Sequence, residues 1–408
     1  MSKRKINLIL LLCAVVFYAA GLTTAQASDS TNALEQRILK VEQALGLTSN
    51  SDSALTLEQR LDAVEKKLES AKTQTSSNII GNISDRITLS GTIELDYSHA
   101  DDSNVSDDTV NNSFSNLDIG TIALGLEAKL HEYVSANVLL KGETLDTTDR
   151  IFWDEAFFTF AKDDMPVYFV AGKRTQPFGV FESLFINDPI TKDLYEINKT
   201  GVTIGYAEEE RLGVDLSFTL YKGETLITRV NDSGYGWTRS NPAGYTLTND
   251  VSSIIVSASV SPVEGLTLAA YFDSEPGGTD QNNTLGGSLH WEIAAFTADA
   301  EYIGALNREK NVTDNKEYKE SAWVVSLGYQ IVEPLILAVR YEDFDADKMQ
   351  SGNLDYRYGF AATYTLFDDQ NFACNLLGEY RRSEYEHTQS SGTDQNLNEF
   401  FARLALEF

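Results

Sequence analysis

The sequence predicts an all-β fold, a transmembrane antiparallel β-barrel of about 16 strands preceded by a short periplasmic α-helical coiled coil. Three observations support this prediction. From Ile87 to Phe408, apolar and polar residues alternate in short segments, and the connections between these segments alternate between short and long. After the leader, no apolar run reaches the roughly 18 residues that a membrane-spanning helix needs. Singly spaced apolar residues suit strands whose outer face contacts lipid.

The first 27 residues have the features of a secretory signal peptide. Three basic residues at positions 3–5 precede an apolar stretch at 6–22, and Ala25 and Ala27 supply the small residues that signal peptidase accepts. We therefore predict cleavage after Ala27. A retained membrane anchor is the alternative.

Residues 28–72 are predicted to form a periplasmic coiled-coil segment. The sequence Leu-Glu-Gln-Arg at 34–37 recurs at 57–60, and each copy continues with apolar residues at steps of 4, 3 and 4. A polar break at 48–53 separates two helices that are too short to be stable alone. Self-association, for example as a homo-trimer, and an intramolecular helical hairpin are both open. The polar residues 73–82 are predicted to be a linker to the barrel, at 83–408.

Sixteen segments carry the two-residue period that is typical of half-buried strands. They are 87–98, 122–130, 134–142, 152–160, 167–173, 201–207, 212–221, 254–260, 266–273, 285–291, 296–302, 323–329, 335–341, 354–366, 372–382 and 399–408. Short turns at one end and long polar loops at the other are typical of an outer-membrane barrel. A soluble β-sandwich also alternates, but it does not need this rhythm of connections.

The final segment places five apolar residues on one face and ends in phenylalanine. These residues are Phe400, Ala402, Leu404, Leu406 and Phe408. The pattern resembles the C-terminal signal that the barrel-assembly machinery recognises in outer-membrane proteins. It implies the outer membrane of a Gram-negative bacterium, with lipid and lipopolysaccharide as surroundings and the N-terminal segment in the periplasm.

The composition excludes several functions. The chain has 61 acidic and 32 basic residues and a formal net charge of −29, which becomes −32 after removal of the leader. Such a charge argues against a nucleic-acid partner. Two cysteines cannot form a disulfide framework. The four histidines are scattered without any catalytic motif nearby, so we predict no enzyme activity, no catalytic residues, no cofactor and no metal site.

If the apolar residues face lipid, the alternate residues face the lumen. This inward set contains one arginine on each of the last four strands, and a lysine on the third strand, as pore-lining candidates: Arg340, Arg357, Arg381, Arg403 and Lys141. A row of arginines on one wall would bind or guide anionic groups. The alternative is that the arginines form salt bridges with Glu342, Asp355, Glu379 or Glu399 and have no role in solute binding.

The third long loop, from Lys173 to Lys199, is too apolar for a freely solvated loop. We expect it to fold onto the lumen wall as a constriction, with acidic side chains facing the arginines across the pore. The alternatives are a loop folded on the outer rim or packed at a subunit interface. The constriction candidates are Lys173, Arg174, Pro177, Phe178, Gly179, Glu182, Asp188, Asp193 and Glu196.

These residues carry a resemblance to known families. The sequence from Tyr168 to Lys173, followed by Gln-Pro-Phe-Gly at 176–179, resembles an element of the phosphate-selective porin superfamily. The segments 181–183, 187–191 and 201–206, and the order of leader, coiled coil and barrel, are more similar to LbtU-type siderophore porins. That resemblance implies an outer-membrane receptor or channel for ferric siderophores that works without the energy-coupling TonB partner. It supplies no ligand-binding residues.

Three functions follow from the sequence. The first is a TonB-independent channel for a ferric siderophore, and the second is a general or anion-preferring nutrient porin. The third is an envelope tether that acts through the coiled coil.

Overall fold

The computed structural model describes residues 86–102, 113–162, 164–181, 183–208, 212–235, 246–278, 280–311, 314–347, 353–369, 371–386 and 396–408. The predicted signal peptide, coiled coil and linker lie outside the described residues, as does Glu182.

The sheet contains sixteen antiparallel strands, and the last pairs with the first to close a barrel. The strands are β1 (Ile87–Asp102), β2 (Ser113–His131), β3 (Val134–Glu143), β4 (Ile151–Lys162), β5 (Met165–Thr175), β6 (Asn198–Glu208), β7 (Val214–Lys222), β8 (Val251–Val263), β9 (Leu266–Glu275), β10 (Asn282–Ile293), β11 (Phe296–Asn307), β12 (Ser321–Val332), β13 (Leu335–Asp345), β14 (Leu354–Asp369), β15 (Phe372–Tyr385) and β16 (Asn396–Glu407). Each predicted segment overlaps one strand, so the predicted barrel of sixteen strands is confirmed.

Three short helices lie in the long connections. They are α1 (Leu145–Thr148), α2 (Ile190–Tyr195) and α3 (Thr225–Asp232). Among the described residues, no helix has the length and apolarity to cross a membrane.

The outer face of the barrel is apolar because side chains alternate along each strand. Val202, Ile204 and Tyr206 on β6 are exposed, whereas Thr203 between them is buried. Aromatic rings cluster toward both ends of the strands, with Phe296 and Tyr329 4.5 Å apart at one end and Trp323 and Tyr341 5.2 Å apart at the other. An exposed apolar band between aromatic rims is the outer surface expected in a bilayer.

The seam between the first and last strands is closed by a glycine and an aromatic ring. Gly91 and Phe408 exchange two backbone hydrogen bonds of 2.9 and 3.0 Å. A Cβ at position 91 would lie 2.4 Å from the Phe408 ring, so the ring occupies the space that a side chain would fill. The absence of a side chain at Gly91 therefore lets the ring cover the backbone at the seam.

We expect Phe408→Ala to weaken the seam, because it removes the ring that covers Gly91. The expected result is a lower yield of folded barrel in the membrane and a lower unfolding temperature. The heat-dependent shift of the folded band on a denaturing gel measures both quantities. Phe372→Ala, which removes an exposed ring at the start of β15, is the matched control. Equal losses in the two variants would contradict a specific role for Phe408.

Candidate functional site

The register of the last strands places the four predicted arginines on the inner face. Arg340 on β13 pairs with Gly359 on β14, and Gly359 pairs with Arg381 on β15. Arg357 on β14 lies opposite Glu342, and Arg403 on β16 lies opposite Asp96 on β1. Their neighbours along each strand, such as Val339, are exposed on the outer face.

The loop between β5 and β6, residues 176–197, turns inward at its first residues. The Gln176 side chain is buried, and its amide nitrogen donates to the Lys199 carbonyl at 2.6 Å. The backbone N–H of Phe178 bonds the Gln176 carbonyl at 2.7 Å, which closes a three-residue turn around Pro177. Gly179 has φ +87°, a left-handed conformation that favours glycine. Together these residues direct the loop toward the opposite wall.

Phe178 is the first apolar anchor of the loop. Its side chain is fully buried, and its ring packs edge-on against Tyr271 on β9 with centroids 5.1 Å apart. Further along the loop, Leu184 lies over Gly328 and Phe185 lies over Gly359. The two glycines leave room for the loop to approach β12 and β14 closely.

Three wall carboxylates accept hydrogen bonds from the backbone of this loop. Glu301 on β11 accepts the N–H of Val180 at 2.8 Å and the hydroxyl of Thr191 at 2.6 Å. Glu342 on β13 accepts the N–H of Ile190 at the start of α2 at 2.7 Å. Glu379 on β15 accepts the N–H of Asn187 at 2.9 Å. Buried backbone N–H groups need such partners, so the wall supplies what the irregular loop lacks.

Arg340 and Arg357 lie beneath this loop. Arg340 donates to the Ser183 hydroxyl at 3.1 Å and the Asn187 carbonyl at 2.9 Å, and its guanidinium lies 4.3 Å from the centre of the Phe185 ring. Arg357 is paired with Glu342. The two arginines are only 4 % and 3 % exposed. The expected solvent-facing row of four arginines therefore does not form, because the loop covers two of its members.

A second loop, which follows β7, also folds inward through α3. Glu275 on β9 accepts the backbone N–H groups of Leu226 and Ile227 at 2.8 and 2.9 Å, and so caps the start of α3. Leu226, Ile227 and Val230 are buried against α2 and the wall. Carboxylates are favourable at helix N-termini, where N–H groups have no partner within the helix.

Polar contacts join the two loops to each other. Arg229 on α3 donates to the Asp193 carbonyl at 2.9 Å and pairs with Glu196 at 3.3 Å. Tyr235 donates to the Asp193 carboxylate at 2.7 Å, and Arg357 donates to the Tyr235 hydroxyl at 3.1 Å. Burial raises the pKa of Tyr235, so its phenol stays protonated and remains a donor. Asp193 and Glu196 therefore bind within the loop assembly instead of facing an arginine across open space.

The opposite part of the lumen keeps charged side chains in contact with water. Lys141 on β3 is paired with Glu143 at 2.7 Å, and Arg403 is paired with Glu94 and Asp96 at 3.0 and 2.7 Å. Asp188 on the inward loop has a side chain that is 50 % exposed. Its carboxylate is paired with Lys192 on the same loop at 3.0 Å. These partly exposed groups lie on the side of the lumen that the two described loops do not cover, which we call the open part of the lumen.

Two of the constriction candidates belong to a strand instead of the loop. Lys173 lies in β5 opposite Ala156, on the outward-facing set, and donates to the Trp153 carbonyl at 2.5 Å. Its predicted place in the constriction is wrong, because alternation along β5 turns it away from the lumen. Arg174, the next residue, faces inward and lies 5.8 Å from the centre of the Phe157 ring.

Sequence reasoning missed the wall carboxylates Glu275, Glu301 and Glu379 as loop anchors, and it missed α3. The one sequence signal for α3 is the apolar spacing of Leu226, Ile227 and Val230, which fits one face of a helix. Alternation along the strands indicates that these carboxylates face inward, but it does not show that they accept hydrogen bonds from the loop backbone.

No family model matches this chain. A UPF0422 protein of Coxiella burnetii (strain RSA 493 / Nine Mile phase I) is 24 % identical over 277 residues, which cover 62 % of this chain. The chain spans 57 % of the length of that relative.

Solved structures with a similar fold are outer-membrane channels. The anion-selective porin from Comamonas acidovorans has a TM-score of 0.56 and 10 % identity over 79 % of this chain and 99 % of its own. OmpF of Salmonella typhi in complex with daunomycin has a TM-score of 0.55 and 12 % identity, over 79 % of this chain and 97 % of its own. The outer membrane channel DcaP of Acinetobacter baumannii has a TM-score of 0.54 and 12 % identity, over 78 % of this chain and 96 % of its own. At these identities the likeness establishes the fold, a closed barrel of the porin type.

We expect Glu342→Gln to destabilise the barrel and release the inward loop. The change removes the charge that Arg340 and Arg357 share and leaves two buried guanidinium groups with less compensation. Breaking a buried ion pair in this way costs about 3–5 kcal/mol. Urea unfolding in lipid vesicles measures the stability, and limited proteolysis of residues 176–197 measures the release.

Glu384→Gln is the matched control, because Glu384 forms a more exposed pair with Arg382 at 2.7 Å. Its effect should stay below about 1 kcal/mol. If the two substitutions have the same effect, Glu342 does not anchor the loop.

Proposed function

We propose that this chain is an outer-membrane diffusion channel for small hydrophilic solutes. One observation carries the proposal: the described loops cover one side of a closed barrel, while Lys141, Asp96 and Arg403 on the other side stay in contact with water. A lumen with charged walls and a loop across it passes solutes according to their size and charge. The similarity to solved porins supports this proposal through the shared fold.

The inward loop sets the width of the channel. Its two ends meet in the ladder, where Thr175 pairs with Asn198, so the loop can be removed without separating β5 from β6. Asn-Gly in place of residues 176–197 would join these strands by a two-residue hairpin turn.

We expect this shortened variant to conduct more current per channel than the parent, because the loop no longer narrows the lumen. Single-channel conductance in planar bilayers measures the difference. A matched control replaces residues 276–281 with Asn-Gly between Glu275 and Asn282, which are also paired. The control should keep the parent conductance. Equal conductance in the parent and the shortened variant would show that the loop does not limit the current.

A ferric siderophore is the more specific candidate for the solute. The observation that favours it is the resemblance to LbtU-type siderophore porins. The Gln-Pro-Phe-Gly sequence at 176–179 that contributes to the resemblance begins the loop that narrows the lumen. In this proposal the loop assembly is part of the binding surface and the chelate enters without TonB.

Siderophore transport predicts that the channel current is blocked by one ferric chelate and not by its iron-free form. The measurement adds a panel of ferric and iron-free siderophores to single channels in salt. Simple anions at the same concentration are the control. A steady current in the presence of every chelate would leave the general diffusion channel as the function.

A further inference from the structure

Carboxylates outnumber their cationic partner in the group at the open part of the lumen. Arg403 is paired with both Glu94 and Asp96, so two acidic groups share one guanidinium. All three are partly exposed and lie on the facing strands β16 and β1. This group therefore keeps a net negative charge where solutes pass.

The other described pairs around the opening are balanced. Lys141 is paired with Glu143, and on the loop Lys192 is paired with Asp188 at 3.0 Å. Arg381 on β15 is paired with Glu399 on β16 at 2.8 Å. None of these pairs leaves a surplus of positive charge.

The wall behind the loop adds further negative charge. Arg340 and Arg357 are shared among three carboxylates, those of Glu342, Glu379 and Asp193. Glu301 receives its hydrogen bonds from neutral donors, namely a backbone N–H, a threonine hydroxyl and the Tyr271 hydroxyl. Charges in such a poorly solvated wall act over longer distances than charges in water.

The cationic residues on β5 and β6 do not reverse this balance. Arg174 lies opposite Lys199 in the ladder. Asn198, next to Lys199 in the strand, donates to Asp154 at 3.0 Å, and Thr175, next to Arg174, donates to Glu196 at 3.4 Å, so acidic groups lie at the same end of these strands as the two cations. The similarity in fold to an anion-selective porin therefore does not extend to the charges of this lumen.

We infer that the open channel prefers cations to anions, and that its natural solutes are small molecules with an exposed ammonium or other cationic group. Glu94 and Asp96, which share one arginine, are the residues that determine this preference. The inference rests on the proposed channel function, and it gives that function a class of substrate. A channel with a surplus of fixed carboxylates concentrates cations and excludes anions at moderate ionic strength.

The test is the reversal potential of the full-length protein in a planar bilayer with a KCl gradient. We expect a permeability ratio of K⁺ to Cl⁻ of about three or more near 0.1 M salt, which falls toward one near 1 M as ions screen the carboxylates. A ratio of one or less near 0.1 M in the parent protein would overturn the inference and leave the channel function intact. Absence of any current would instead overturn the channel function.

Two variants test the assignment to individual residues. Asp96→Asn and Glu94→Gln each remove one acidic group with little change in shape, and we expect each to lower the ratio about twofold. Asp164→Asn is the control, because it removes the same charge from an exposed pair with Lys162 at a turn outside the lumen. The current through each variant shows that it has folded. Unchanged ratios in both lumen variants would overturn the assignment.

Discussion

The structure of the lumen depends on hydrogen bonds between wall carboxylates and loop backbone. Glu275, Glu301, Glu342 and Glu379 lie on β9, β11, β13 and β15, and each accepts at least one N–H from a loop. A carboxylate suits this position because it accepts several hydrogen bonds and brings no donor of its own. Without these acceptors, the irregular loops would carry unpaired N–H groups into a space with little water.

This anchoring creates a hydrophobic core inside the barrel. In a transmembrane barrel the outer apolar residues contact lipid, so the strands do not have to bury them against one another. The apolar cluster instead lies between α2, α3 and the inner wall, with Phe178, Ile190, Leu194 and Ile227 fully buried. Two interactions hold the loops in place. The wall carboxylates bind the loop backbone, and the buried apolar side chains exclude water. Within the described part of the chain, these contacts between the loops and the wall are what narrow the lumen.

The sequence was sufficient to predict the strands, but it did not determine which groups the inward side chains contact. Alternation gave all sixteen strands and the inward position of Arg340 and Arg357, because the period of two determines which side chains share a face. The ion pair of Glu342 with Arg357 depends on how β13 is aligned with β14, and alternation within one strand does not specify that alignment. The loop contacts of Arg340 depend on residues more than 150 positions away in the sequence, so no local pattern reports them. The coiled coil and linker predicted at residues 28–82 lie outside the described part of the chain, so they stay predictions.

The inward arginines take different roles because they lie at different positions relative to the loop. A row of arginines on one wall first indicates binding of anions from solution. Here the wall also holds the carboxylates that bind the loop backbone, and for Glu342 and Glu379 nearby cations provide compensation for burial. Arg340 and Arg357 supply that compensation from within the chain, so they have little capacity left for a solute. Arg340 and Arg357 are thus explained by the acidic groups that hold the loop, and an anionic solute is not needed to account for them.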